Sequence, residues 1–298
     1  MNEMHNELPP AEKLSLLQRI SHWVSAPWKR MGAGKRRRVK AYIVAFIIML
    51  VLLLAPSPFA IEMPGPTANV LGAVSAESSE KMIDISGVQT YADKGELRLV
   101  TVSATGVPGY AIPTAAAIWA WFDPHMAIMP QEAVYSVDTT ADEYEQEGAD
   151  EMTSAQDSAV TVAQRYASDN LGIDTSHMSV KLRVDDIGGP SAGMMYTLGI
   201  ITSLTPQDEA EGKIIAGTGT IESDGSVGKI GGIQLKLLGA KRDGADYFIA
   251  PQSNCDEVTG HIPQGMQVFS VTNIEEAYKT VQAIGSGDTQ GLASCPSN

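Results

Sequence analysis

Gly188-Gly189-Pro190-Ser191-Ala192-Gly193, and further along Gly231-Gly232-Ile233-Gln234-Leu235-Lys236, are the stretches on which the reading of this chain turns. Proline suits the first position of a helix, where its missing N–H costs nothing, so Pro190 predicts a helix from there to about Leu204. Ser191 then falls in the first turn, among backbone N–H groups that lack helical acceptors. Those donors and the helix dipole favour an oxyanion nearby, with Gly189, Pro190 and Ala192 shaping the turn. Glycine also lets a substrate backbone approach closely. Down the helix, Ser191 heads the stripe Met194, Met195, Leu198 and Thr202, which aims it at protein. A serine that merely caps its helix would sit in the same place, and this segment alone leaves both readings open.

In the second stretch Ile233, Leu237 and Ala240 follow helical spacing. Lys236 lies about 60° from the centre of that face, whereas Lys241 and Arg242 lie farther round. A lysine at the edge of an apolar face can snorkel to solvent. It can instead be desolvated, lose its proton readily and act as a base. A serine hydroxyl needs such a base. His125, His177 and His261 sit isolated in polar or loop contexts, and no Gly-x-Ser-x-Gly elbow occurs. A Ser191–Lys236 dyad is the economical arrangement that remains.

Outward from these motifs, strands and helices alternate. Leu97–Thr105 is β-rich, Thr114–Phe122 is apolar and helical, and Asp138–Glu151 is an acidic loop or helix start. Ser154–Asn170 is helix-like and Met178–Val184 alternates as a strand. Strands follow at Lys213–Ile221 and Ser226–Ile230, then a helix at Ile233–Arg242. Strands at Tyr247–Ala250 and Gln267–Val271 and a closing helix at Ile274–Ile284 complete the pattern. This order indicates an α/β (α+β) domain over residues 84–286, with its core motifs in 180–284 and a flexible tail at 287–298.

The N-terminal part is different in kind. Net charge is -14 over 298 residues, yet residues 1–40 carry nine Lys/Arg and three Glu, a balance of +6. The rest carries 12 basic and 32 acidic residues, a balance of -20, which excludes a nucleic-acid-binding surface on that part. Residues 41–61 (AYIVAFIIMLVLLLAPSPFAI) form 21 residues without a charge. As helix they would span about 31 Å, one hydrocarbon core. The cluster Lys35-Arg36-Arg37-Arg38-Val39-Lys40 precedes them, so the basic head is expected inside and everything after about 62 outside a bacterial cell membrane. A cleaved signal peptide is the competing reading. Its cleavage sites are poor, with Pro58 or Leu53 at the −3 position. Residues 62–83, rich in Pro, Gly, Ala and Ser, read as a spacer. Cys255 and Cys295 both follow the anchor, where a disulfide is permitted; two unpaired thiols fit the spacing equally. No CxxC…HxxxH spacing suggests zinc, and no cofactor is expected.

The same blocks resemble the proteolytic domain of the Lon protease family. GGPSAG (188–193), Ala216-Gly217-Thr218-Gly219-Thr220-Ile221, Gly231 to Lys236, and Gly244-Ala245 leading to Phe248-Ile249-Ala250-Pro251 carry the likeness. The resemblance implies the Lon proteolytic fold, Ser191 as nucleophile, Lys236 as its partner and Thr218 as the threonine beside the dyad. It implies protein or peptide substrates and is compatible with a homo-oligomer. No GxxxxGK[ST] occurs, so no nucleotide is expected, and the family's ATP-driven module is missing from these residues. The chain is more similar to the membrane-anchored, PDZ-containing Lon-like proteases of bacteria. Residues 97–168 resemble their pre-PDZ segment, yet about 20 residues then lead to GGPSAG, fewer than a separate domain needs. Many members carry an acid three residues before the serine; Gly188 stands there, with Asp185 and Asp186 slightly earlier. The function expected is an ATP-independent, membrane-anchored serine endopeptidase. The alternative is an inactive Lon-fold scaffold or binding protein at the membrane.

Overall fold

A computed structural model of the chain describes residues 32–75, 78–136, 138–183 and 188–296. It divides into two units, residues 1–55 and 56–298. Trp23 and Trp28 of the basic head, and Asp185 and Asp186 before the serine motif, lie outside the described residues.

In the first unit, helix α1 (Ala33–Leu54) buries no side chain. It starts within the basic cluster, and it ends before the 41–61 run does. Ala55 is extended, as the residue before a proline prefers to be. No helix among the described residues is long and apolar enough to cross a membrane. The end of the run, Phe59–Ile61, belongs instead to a strand of the second unit.

That strand, β1 (Phe59–Asn69), corrects the spacer reading: residues 62–83 hold most of β1 and lead into β2 (Ile83–Ser86). The low-complexity look of IEMPGPTAN hid a strand because its pairing slips at Gly65-Pro66 between Pro64 and Thr67. Proline and glycine inside a strand are tolerated at such a bulge. The main sheet contains β3 (Glu96–Thr105), β4 (Ala127–Pro130), β6 (Ile214–Gly217), β9 (Tyr247–Pro251) and β10 (Gln267–Val271) besides β1, in the order β10-β9-β6-β3-β1-β4. The pairs from β10 through β3 are parallel, and β1 runs antiparallel to both its neighbours. Two small antiparallel pairs, β2 with β5 (Ser179–Leu182) and β7 (Thr220–Ile221) with β8 (Val227–Gly228), stand apart. The stretch 213–221 is therefore two strands, broken at Thr218-Gly219.

Both faces of the sheet are covered. Helix α2 (Thr114–Ala120) follows β3, and α3 (Ala141–Leu171) is a single 31-residue helix. Its first ten residues were the acidic segment read as loop or helix start. Thr140 and Glu143 form a capping box that starts the helix there. Helix α4 (Gly193–Leu204) and the closing α7 (Ile274–Ser286) share a core with α3. Helix α5 (Ile233–Arg242) and the one-turn α6 (Cys255–Val258) pack in a second core. Strand residues divide between these cores with period two. Ile215, Ile249 and Phe269 join the first; Ala216, Phe248, Ala250 and Val268 join the second. Such near-continuous apolar strands are what a sheet buried on both faces requires.

The segment 287–298, read as flexible, is stitched along β10. Ser270 donates to the Ala293 carbonyl and Cys295 to that of Val268. Cys255 and Cys295 form a disulfide, and Cys295 is buried in the second core.

Candidate active site

The serine motif does not begin an α-helix directly. Pro190–Ala192 make a 3-10 turn, and the α-helix follows from Gly193. Gly189 stands before it at φ 88°, a conformation only glycine adopts without strain. The Gly189 N–H donates to the Gly148 carbonyl at 3.0 Å, laying the approach to the serine against α3. The two segments run close together: a side chain begun at Gly188 would touch the Gly148 Cα at 3.4 Å, in ordinary van der Waals contact. Ser191 is half-buried, and Met194, Met195, Leu198 and Thr202 below it are buried as the stripe predicts. The remaining sides of α4 are buried too, because it runs between the sheet and α3 and α7.

Thr218 is the first residue after β6, at the C-terminal end of a parallel strand, where ligand sites of such sheets gather. It is fully buried, and its N–H bonds to the Ile249 carbonyl of β9. Its hydroxyl donates to the Ser191 carbonyl at 3.0 Å, and the Gly219 N–H donates to that same oxygen at 2.9 Å. Lys236 reaches the place from α5, on the other face of the sheet, and its Nζ donates to Thr218 Oγ1 at 3.3 Å. The fold thus brings Ser191, Thr218 and Lys236 together along one hydrogen-bonded path.

The lysine is 3% exposed, so it does not snorkel. Burial pushes its ammonium down to about 8, and the carboxylate of Glu62 pulls part-way in the other direction. Glu62 lies on β1, facing Ala104 of β3 and Ala127 of β4 in the register. Its own carboxyl is raised by burial and lowered by Lys236. Gly232, at φ 67° ahead of α5, leaves room for this approach. A side chain there would begin 3.5 Å from Glu62 Oε2 and 2.8 Å from Val102. Glu62 was missed in the sequence because the run around it read as anchor and spacer. The available signal was its isolation: it is the single charge in residues 41–76.

The hydroxyl of Thr218 has one proton, and the Ser191 carbonyl takes it. Toward Lys236 the hydroxyl can only accept. It therefore fixes one N–H of the amine and leaves the amine's lone pair to turn elsewhere. Thr218→Val should lower kcat by about tenfold to a hundredfold, the worth of a hydrogen bond to an ionisable group, in folded protein. Unchanged kcat would remove Thr218 from the site. Glu62→Gln should lower the pKa of Lys236 further and move the acid limb of kcat to lower pH. An unmoved pH profile would show that Glu62 does not tune the lysine.

Residues 150–283 match the family model of the Lon protease (S16) C-terminal proteolytic domain. The chain is 38% identical over 94 residues to the Lon protease of Buchnera aphidicola subsp. Schizaphis graminum, covering 30% of this chain and 12% of that protein. It is 31% identical over 137 residues to the Lon protease of Acinetobacter baumannii, 43% of this chain and 17% of that one. It is 28% identical over 139 residues to the mitochondrial Lon protease homolog of Drosophila melanogaster, 44% and 13%. The chain thus spans less than a fifth of the length of these curated relatives. Within residues 150–283, with their mixed α/β fold, the likeness is to the proteolytic domain of a serine peptidase, and Ser191, Thr218, Lys236 and the turn that presents the serine all fall inside that span.

Proposed function

We propose that this chain is a serine endopeptidase acting through Ser191 and Lys236, without a nucleotide motor, on unfolded or exposed polypeptide segments outside the cytoplasm. The observation that carries the reading is a buried lysine, its ammonium pushed down to about 8 by burial, hydrogen-bonded to the threonine that holds the Ser191 carbonyl. Neutral Lys236 takes the hydroxyl proton of Ser191 as its oxygen bonds to the substrate carbonyl carbon. The backbone amides of Ser191 and Ala192, at the head of α4, receive the developing oxyanion. Lys236 then gives its proton to the leaving amine, and the C–N bond breaks. Water attacks the resulting ester, again with Lys236 as base, and Ser191 is regenerated.

Anchoring at a membrane, with the second unit outside, rests on the basic cluster at 35–40 followed at once by apolar residues. No GxxxxGK[ST] loop occurs within residues 1–298. Rapid acid quench of the full-length protein with an activated peptide ester should trap an acyl group, located on Ser191 by mass spectrometry. Folded protein that neither acylates nor cleaves an unfolded polypeptide would sink the enzymatic reading and favour a scaffold. A reporter fused after Asn298 should be active only outside the cytoplasm. Cytoplasmic activity would sink the topology and leave the chemistry standing.

A further inference from the structure

Helix α2 is built the wrong way round for water. Its small residues Ala117 and Ala120 are buried, while Trp119 is 70% exposed, Trp121 69% and Phe122 79%. Ile118 beside them and Tyr110 in the preceding loop are exposed as well. A surface helix ordinarily turns its large apolar side chains inward. A contiguous exposed patch of this kind marks a surface that is covered when the protein works.

The place of the patch in the chain says by what. The second unit begins at Pro56, two residues after α1 ends at Leu54, and the segment carrying the aromatics is tied to that entrance at both ends. At its start, Pro56 bridges Pro113 and the Ser57 N–H donates to the Ile112 carbonyl at 2.9 Å. At its end, Gln131 donates its N–H to the Pro58 carbonyl at 3.1 Å and its side-chain amide to the Ser57 carbonyl at 3.2 Å. Residues 113–131, which hold α2 and β4, are therefore tied at both ends to the three residues through which the chain enters the fold. Helix α2 is about 10 Å long at 1.5 Å per residue. The interfacial layer on one side of a bilayer is about 5–8 Å deep, a depth that a helix of this length can fill.

A shortfall in α1 points the same way. Its uncharged part, Ala41–Leu54, is about 21 Å long as helix, against about 30 Å of hydrocarbon. A short span draws its flanking residues inward, and tryptophan and tyrosine are the side chains that settle at headgroup depth. We propose that Trp119, Trp121 and Phe122, with Ile118 and Tyr110, form a second membrane contact that seats the folded unit in the outer interfacial layer of a lipid bilayer. The inference rests on the anchoring reading above and adds to it a surface that α1 does not supply.

The test uses full-length protein with Trp23→Phe and Trp28→Phe, which leaves Trp119 and Trp121 as the reporters. It is placed in phosphatidylcholine bilayers brominated either high or low on the acyl chain. Strong quenching by the high bromines and weak quenching by the low ones is the expected result. Emission that acrylamide quenches and bromines do not would overturn the proposal. So would emission shielded from both, which would assign the patch to a protein partner. If the chain does not fractionate with membranes at all, the anchoring reading falls. Quenching on addition of brominated vesicles would then still uphold the patch, and its absence would overturn it.

Discussion

Lys236→Arg is expected to silence peptide hydrolysis while leaving the protein folded. A guanidinium stays protonated at any working pH and cannot accept the Ser191 proton. Ser191→Ala should do the same, each by about 10⁴–10⁶-fold in kcat, and the double variant should lose little more, because residues acting as a unit are not additive. In the wild type the rate of acylation should rise with pH through about 8 and level off above it, as the buried ammonium loses its proton. The same titration has a stability signature. The lysine's pKa is depressed from 10.5 to about 8 on folding, so between those values the unfolded chain binds the extra proton. Stability should therefore rise with pH across that window, by up to about 3 kcal/mol, an upper figure that relaxation reduces. Near-wild-type turnover by folded Lys236→Arg protein would falsify the Ser–Lys mechanism.

Removing the disulfide should cost about 4 kcal/mol. Cys255 and Cys295 are separated by 40 residues, and releasing a loop of that length restores entropy to the unfolded chain on that scale. The bond pins the last residues along β10 and holds Cys295 in the core beneath α5, the helix that carries Lys236. Cys255→Ser with Cys295→Ser should lower the urea midpoint and steepen the slope, because the unlinked denatured chain exposes more surface. A midpoint equal to that of the oxidised wild type would show that the bridge contributes nothing. Two thiols that alkylate freely in native, unreduced protein would show that it does not form.

The difference between what could and could not be read from the sequence follows from the range of the interactions. Ile233–Arg242 and Gln267–Val271 were legible to the residue, because a period of 3.6 or an apolar run is a local property of a buried element. The acidic start of α3 was left open between a loop and a helix start. Its first two turns are mostly charged and polar, and the capping box at Thr140 and Glu143, rather than any apolar stripe, sets where the helix begins. β1 was missed for the opposite reason. Pro64, Gly65 and Pro66 read as a linker, and they stand in a strand only because the pairing with β3 is already irregular there. Phe59–Ile61 continued an apolar run that the prolines at 56 and 58 had in fact divided.

By itself the sequence determined the candidate chemistry, with Thr218 added only by the family resemblance: a serine behind two glycines and a proline, and a lysine at the edge of an apolar helical face. Each is a choice of functional group at a local conformation, and local conformation is encoded nearby. Whether Lys236 snorkels or is buried was not so encoded, because a long flexible side chain takes its environment from whatever packs around it. The tertiary structure decided that. It carries Ser191 in on α4 from one face of the sheet and Lys236 on α5 from the other, and it joins them through Thr218 at the end of β6. It also brings Glu62 from β1 against the entrance to α5. Residues so far apart in the chain meet only once a parallel sheet has closed between them, and the charge of a buried amine depends on the dielectric and the partners that this closure supplies.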